Sequence, residues 1–160
     1  GHSQRVVDHG TRPVALAGLL EEAASELLDS ALAKGIDLGF ETAPATVEGS
    51  RWMLRELIAN LVDNAIAYTP DGGRVTVRCG CDNAGSAFVE VEDNGPGIPE
   101  AERGRIFERF YRVAGRGGEG TGLGLAIVRE VAERHAARVE VEAGAEGRGS
   151  CFRVVFPPPG

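Results

Sequence analysis

The chain has 160 residues, 42% of them hydrophobic and 26% charged, which fits one soluble globular domain with room for a proper core. Its formal net charge of −7 argues against a general nucleic-acid binder and against a protein that lies on anionic membranes. No apolar run approaches the roughly 20 residues that a membrane-crossing helix needs.

Gly1-His2-Ser3 reads as a tag remnant, and residues 4–13, polar and ending in Arg12-Pro13, as a linker. Val14 and Leu16 suggest a short strand. Between Leu16 and Leu32 the residues Leu19, Leu20, Ala23, Ala24, Leu27, Leu28 and Ala31 recur at helical spacing, with Glu21, Glu22, Glu26 and Asp29 on the other side. Lys34-Gly35, a cation and a glycine, ends this helix. Lys34 is the single lysine among 17 Lys and Arg residues. Ile36 to Phe40 alternates as a strand, and Val47 closes another.

Ser50 is placed to cap a helix running from Arg51 to about Tyr68. Met53, Leu54, Leu57, Ile58, Leu61, Val62, Ala65 and Ile66 form its apolar stripe. Glu56, Asn60 and Asn64 stand one turn apart on one side, with Asp63 nearby. Asparagine is a poor helix-interior residue, so two in line with a glutamate need a reason. An oxygen-lined edge suited to hydrated Mg²⁺ and phosphate is one; a solvated polar face is the plainer alternative.

Tyr68 to Gly73 carries turn residues, and Arg74 to Cys81 reads as a strand. Cys79, Cys81 and Cys151 are an odd set without framework spacing, expected to be reduced thiols in a cytosolic setting and packed small residues rather than metal ligands. Asp82 to Gly85 makes a hairpin turn into a strand from Ser86 to Glu92. That strand delivers Asp93 to its end and breaks at Asn94-Gly95-Pro96-Gly97-Ile98-Pro99. The glycines permit close backbone approach, and the prolines stiffen the loop. A carboxylate beside bare backbone suits a flat group with an exocyclic amine, such as adenine. An ordinary turn explains the same residues.

Phe107, Phe110 and Tyr111 form an aromatic stripe at helical spacing, most simply core packing. Residues 101–119 are locally basic, with Arg103, Arg105, Arg109, Arg112 and Arg116 against three glutamates. An Arg-rich, glycine-rich loop, Val113 to Glu119, suits an anionic ligand. Gly120-Thr121-Gly122-Leu123-Gly124-Leu125 then opens an apolar helix ending near His135. Backbone N–H groups at such a start make an anion site. The pattern is neither a Walker loop nor a dinucleotide fingerprint. Arg138 to Glu142 and Cys151 to Phe156 read as two strands joined through a glycine-rich turn, before Pro157-Pro158-Pro159.

Taken together, these segments resemble the catalytic, ATP-binding domain of a bacterial two-component sensor histidine kinase. Glu56-x-x-x-Asn60-Leu61-x-x-Asn64-Ala65 is similar to the family's N box and Asp93-x-Gly95-x-Gly97 to its first glycine box. Phe107-x-x-Phe110-Tyr111-Arg112 resembles the F box, and Gly120-Thr121-Gly122-Leu123-Gly124-Leu125 the second glycine box. Each motif alone is weak; four in order are strong. The resemblance covers residues 14–157, with 1–13 a tag remnant and linker and 158–160 a tail. It implies an α/β (α+β) Bergerat-type fold: a two-layer sandwich with a mixed, mostly antiparallel sheet of about five strands and about three helices on one face.

The resemblance also implies roles. Asp93 accepts from the adenine amino group, Gly95, Gly97 and Ile98 border the base, and Tyr68 packs near it. Asn60 coordinates Mg²⁺ and Asn64 supports the metal–phosphate site. Arg112 reaches a phosphate. Gly120, Thr121, Gly122, Leu123, Gly124 and Leu125 surround the triphosphate, with Gly122 and Gly124 giving it room and backbone donors. Glu56 matches the general base of related ATPases. Three departures stand out: Ala67 where a phosphate-contacting lysine is common, Ser50 where an acid is common, and a short lid at 113–119. The expected ligands are ATP and Mg²⁺. The expected partners are the protein's own dimerisation and histidine-phosphotransfer domain and a cognate response regulator. The phosphoacceptor is expected outside this chain, since His9 precedes Gly10 and His135 precedes Ala136-Ala137. The domain is expected in the cytoplasm, with any membrane attachment, at the bacterial inner membrane, through other parts of the full-length protein. Rival readings are an anti-sigma-type serine kinase, which shares the N and glycine boxes, and a degenerate nucleotide-binding docking module. Chaperone and topoisomerase ATPases share the fold but lack this F box.

Overall fold

The computed structural model describes residues 11–111 and 123–158. Strand β1 (Arg12–Ala15) leads directly into helix α1 (Leu16–Ala33). Leu16, Leu19, Leu20, Ala23 and Ala31 are buried, as the helical spacing predicts. Leu28, counted on the apolar side, is exposed, as is Leu32 near the helix end. Helix α1 is an outer helix whose packing partners are α2 and strands β2 and β4, so its stripe is wider than the surface available to cover it. The helix ends in a Schellman turn. Gly35 has φ +64°, its N–H donates to Leu32 O at 3.0 Å, and Ile36 N–H donates to Ala31 O at 2.9 Å.

Strands β2 (Asp37–Thr42) and β3 (Thr46–Gly49) follow. β3 pairs antiparallel with β1 in a separate two-stranded ribbon. Helix α2 (Arg51–Tyr68) starts where Ser50 Oγ accepts from Met53 N–H at 3.3 Å, so the expected cap is present. A second tie was not foreseen. His135 Nε2 accepts from Ser50 N–H at 3.1 Å, while its Nδ1 bonds to Val131 O at 2.8 Å. Both bonds hold if Nδ1 carries the proton, and they fasten the end of helix α3 (Gly124–Arg134) to the start of α2.

Strands β4 (Arg74–Cys81), β5 (Ala87–Asp93), β6 (Arg138–Ala143) and β7 (Ser150–Val155) join β2 in a sheet of order β2-β4-β5-β7-β6. Only the β2–β4 pair is parallel; the other three are antiparallel. The result is the mixed five-stranded sheet with three helices expected from the resemblance. Val75, Val77, Val89, Val91, Phe152 and Val154 share the inward face and are at most 2% exposed. Their period-2 pattern packs against the apolar stripes of the helices. Alternation carries on to Asp93, which turns inward one step after Val91.

The aromatic stripe does not form a helix. A single 3₁₀ turn at Glu100–Glu102 gives way to irregular turns. Phe107 packs edge-on against Phe152, with ring centroids 6.2 Å apart. Phe110 has φ +66° and is 67% exposed, so it does not join Phe107 in the core. The segment contains Gly104 and offers only Ile106, Phe107 and Tyr111 to the core, too little apolar surface to fix a helix.

The face away from the helices carries a ladder of alternating charge. Glu41, Arg78, Glu90, Arg153 and Glu140 stand opposite one another across all five strands. Arg78 Nε donates to Glu41 at 2.9 Å, Arg78 Nη1 to Glu90 at 2.7 Å, and Arg153 Nε to Glu90 at 2.8 Å. Glu90 is 7% exposed, covered by the two arginines. Arg78 Nη1 also donates to Glu92 at 2.8 Å, and Ala145 N–H to Glu92 at 2.6 Å. Burial alone would raise the Glu92 carboxyl, but these bonds outweigh it and hold the group below its ordinary value. A carboxyl depressed in the fold binds protons less readily than in the unfolded chain. Its contribution is therefore full above the unfolded value near 4.5 and is lost as pH falls through the folded value. Glu92→Gln is expected to flatten the loss of stability below pH 4.5, read as urea midpoints across pH 3 to 7. An unchanged slope would show that the Arg78 and Ala145 bonds do not favour the charged form.

The cysteines are free. Burial first, and then the carboxylates of Glu90 and Glu92, push the Cys151 thiol up to about 12. Among the described residues no His, Cys, Asp and Glu group could hold a metal ion by itself.

Candidate nucleotide site

Strand β5 ends by delivering Asp93 to a closed pocket of partners. The residue is 3% exposed. Its Oδ1 accepts from Gly95 N–H at 2.9 Å, and its Oδ2 accepts from Ser150 Oγ at 2.8 Å. Both carboxylate oxygens are thus oriented by the protein. Asn94 then stitches the loop to β4, its Oδ1 accepting from Arg74 N–H at 2.8 Å.

Glycine is required here for two different reasons. At Gly97 φ is +81°, and a Cβ would lie 2.9 Å from Gly149 O. At Gly95 a Cβ would begin 3.1 Å from both Asp93 Oδ1 and Tyr68 O. Gly149 in turn sits at φ +65° with its would-be Cβ 1.9 Å from Asp93 O. Backbone therefore rests on backbone through this corner. Ile98, expected beside the base, is buried and belongs to the hydrophobic core.

Helix α2 supplies the long wall. Asn60, Asn64 and Tyr68 follow one another at single-turn intervals, a row about 12 Å long. Asn60 Nδ2 donates to Glu56 O at 2.8 Å, which leaves Oδ1 as the outward atom. A side chain at Gly124 would begin 3.2 Å from that Oδ1. One end of the row thus faces the start of α3, and the other, at Tyr68 O, faces Gly95 of the Asp93 loop. Leu123 precedes the first turn of α3 and Leu125 packs against the core. Asn64 Nδ2 is buried and has no hydrogen-bond partner among the described residues; nor has Thr69 Oγ1, in a residue 0% exposed. Glu56 is half-buried, one turn before Asn60.

The fold therefore brings Asn60, Asn64, Tyr68, Asp93, Gly95, Gly97 and Gly124 along one continuous edge. Arg112, Gly120, Thr121 and Gly122 lie outside the described residues, as does the 113–119 segment. Ser150, Gly149 and Thr69 were missed in the sequence. The glycine-rich turn before β7 is the one signal that pointed toward Gly149 and Ser150; Thr69 was read only as part of the turn after α2. One group present fits Mg²⁺: Asn60 turns a hard amide oxygen toward the opening of α3. The unsatisfied Nδ2 of Asn64, one turn on, is a hydrogen-bond donor and suits an anionic or water oxygen rather than the metal itself.

A carboxylate at a strand end, a polar row on the adjoining helix and a glycine-opened helix facing that row define a nucleotide-binding ATPase fold. The family described as "Histidine kinase-, DNA gyrase B-, and HSP90-like ATPase" matches residues 49–160, and the chain belongs to it. Within that family its relatives are histidine kinases. It is 42% identical over 146 residues to the sensor protein kinase PmrB of Pseudomonas aeruginosa, a match that covers 91% of this chain and 30% of that protein. Among solved structures, the mycobacterial sensor histidine kinase MprB superposes with a TM-score of 0.81 at 32% identity, covering 94% of this chain and 99% of that one. Full-length ShkA in complex with AMPPNP gives a TM-score of 0.79 at 32% identity, over 92% of this chain and 31% of that one. The chain is thus an ATP-binding domain of the histidine-kinase kind, and it spans about a third of the length of the curated relatives it matches.

Proposed function

We propose that residues 14–157 form a catalytic unit that binds Mg-ATP and passes its γ-phosphoryl group to a histidine on a dimerisation domain outside this chain. A response regulator then takes the phosphoryl group from that histidine. The observation that carries this reading is the row Asn60–Asn64–Tyr68, which ends at the Asp93 loop on one side and at Gly124 on the other.

The geometry supports the division of labour that the resemblance implies. Asp93, with both oxygens oriented, accepts from an adenine amino group, and Gly95 and Gly97 let the base approach the backbone. Tyr68 packs beside the base, with Ile98 supporting the wall from the core. Asn60 Oδ1 would hold Mg²⁺, which neutralises phosphate charge when bound. Asn64 hydrogen-bonds at the metal–phosphate end. The N-terminus of α3, with Leu123, Gly124 and Leu125, favours anionic phosphate through the N–H groups of its first turn and its dipole. Gly120, Thr121, Gly122 and Arg112 are assigned to the same phosphate end by their motifs. Glu56 stands one turn before Asn60, where it orients the attacking group or the metal's water shell. Catalysis here is positioning and charge neutralisation rather than covalent chemistry.

No described helix is long and apolar enough to cross a membrane, and the relatives are sensor kinases. We place the domain on the cytoplasmic side, where ATP is. The test mixes this chain with the histidine-bearing hairpin of its own full-length protein and γ-labelled ATP. Transfer of label to that histidine, lost on Asn60→Ala, is the expected result. ATP binding without transfer to the hairpin overturns the kinase reading and leaves a nucleotide-binding module.

A further inference from the structure

We propose that Lys34 is a positioning residue for the nucleotide site, acting on the last turn of α2 from outside the pocket. The proposal rests on the nucleotide reading above. Lys34 closes α1, but its ammonium serves another helix. Nζ donates to Ile66 O at 2.8 Å and to Ala67 O at 3.1 Å. Helix α2 has no basic residue of its own in its last turn, and its cap N–H, from Thr69, takes only Ala65 O. Ile66 O and Ala67 O are terminal carbonyls that the helix itself cannot satisfy. A cation at this end also opposes the negative pole of the helix.

The segment around Lys34 grips the following turn as well. Gly72 N–H donates to Lys34 O at 2.8 Å, and Asp37 N–H donates to Gly73 O at 2.9 Å. On its other side the same turn bears on the Asp93 loop. A Cβ at Gly95 would meet Tyr68 O at 3.1 Å and Thr69 Cα at 3.4 Å, and one at Gly73 would meet Asn94 Oδ1 at 3.0 Å. Residues 66–73 are therefore clamped between Lys34 and the Asp93 loop. Tyr68 lies in the clamped segment, whereas Asn60 lies two turns back. Lys34 thus sets the base end of the site and not its metal end.

Two variants and one labelling experiment test this. Lys34→Met keeps the apolar stem and removes the cation and its donors; Lys34→Arg keeps both. By calorimetry on protein shown to be folded, Lys34→Met is expected to weaken ATP and ADP alike by about fivefold. The ratio of ATP affinities with and without Mg²⁺ should not move. Lys34→Arg should restore affinity, and amide exchange over residues 66–73 should quicken in Lys34→Met alone. Wild-type affinity in folded Lys34→Met, or an equal loss in both variants, overturns the proposal. Should Lys34→Met fail to fold, the unaltered chain still decides. Its single lysine can be followed by mass spectrometry during acylation with an amine-reactive ester. Acylation proceeds from the released amine, and ATP that favours the engaged helix end lowers the released fraction, so saturating ATP should slow acylation of Lys34 by up to about fivefold. An unchanged rate overturns the proposal. If the unaltered chain binds no ATP at all, the nucleotide reading itself falls, a result distinct from normal ATP binding that ignores Lys34.

Discussion

Asp93→Asn is expected to weaken ATP binding by about tenfold or more while leaving the fold intact, measured by calorimetric titration with and without Mg²⁺. The carboxylate is 3% exposed and both of its oxygens are oriented, Oδ1 by Gly95 N–H and Oδ2 by Ser150 Oγ. In the asparagine variant one atom still accepts from Gly95. The other becomes an N–H₂ donor facing the position assigned to the adenine amino group, itself a donor. A hydrogen bond to a charged group contributes about 1.5–3 kcal/mol, and about 1.4 kcal/mol is a factor of ten in affinity. The loss should be the same with and without Mg²⁺, because Asn60 is untouched. Tight binding that ignores the substitution would put the base elsewhere.

The largest effect on stability is expected at Gly149→Ala. Two costs add there. Gly149 has φ +65°, where an L side chain costs about 1–2 kcal/mol. A Cβ would also lie 1.9 Å from Asp93 O and 2.8 Å from Asn94 Cα. Both are backbone atoms, so the clash is relieved only by moving the end of β5, at about 1–3 kcal/mol. The sum is about 3 kcal/mol, equivalent to about 10 °C in Tm for a domain of this size. Gly147→Ala is the internal control. Its φ is +73°, but nothing lies within 4 Å of its Cβ position, so it should show the strain without the clash. Equal midpoints for the two variants would refute the close approach of Gly149 to Asp93. Any folded Gly149→Ala should also bind ATP less well, since the displaced atoms are those of the Asp93 loop.

What was legible in the sequence was whatever local chemistry decides. Helix α2 begins and ends as expected because Ser50 caps it and Thr69-Pro70 stops it. Strands β4 and β5 were readable from alternation, and so was the delivery of Asp93 to the end of β5. The residues that missed were set by distant parts of the chain. Ser150 reaches Asp93 from 57 residues away, and nothing near Ser150 announces it. Lys34 reads as the cap of its own helix, yet it serves α2. The stripe at Phe107, Phe110 and Tyr111 has helical spacing, but spacing cannot reveal that too little surface exists to bury it. The separate pairing of β1 with β3 likewise depends on where α1 returns the chain.

The alternating charges on the uncovered face of the sheet bear on how the strands find their partners. A slip of one residue is already forbidden, because it would turn the valines of a strand into water. A slip of two keeps every valine inside, and the core barely distinguishes it from the native arrangement. The ladder does distinguish it. Sliding β5 two residues along β4 sets Arg78 opposite Phe88 or Glu92 and takes Glu90 away from Arg153 as well, unless β7 slides too. The slip toward Phe88 leaves Arg78 with no carboxylate directly opposite; the slip toward Glu92 keeps an Arg–Glu pair there but takes Glu90 away from Arg78. These partly buried ion pairs therefore favour the native alignment of β5, most clearly over the slip toward Phe88. Asp93 is the last residue of β5, so the same pairing helps set where the carboxylate proposed to face adenine comes to rest.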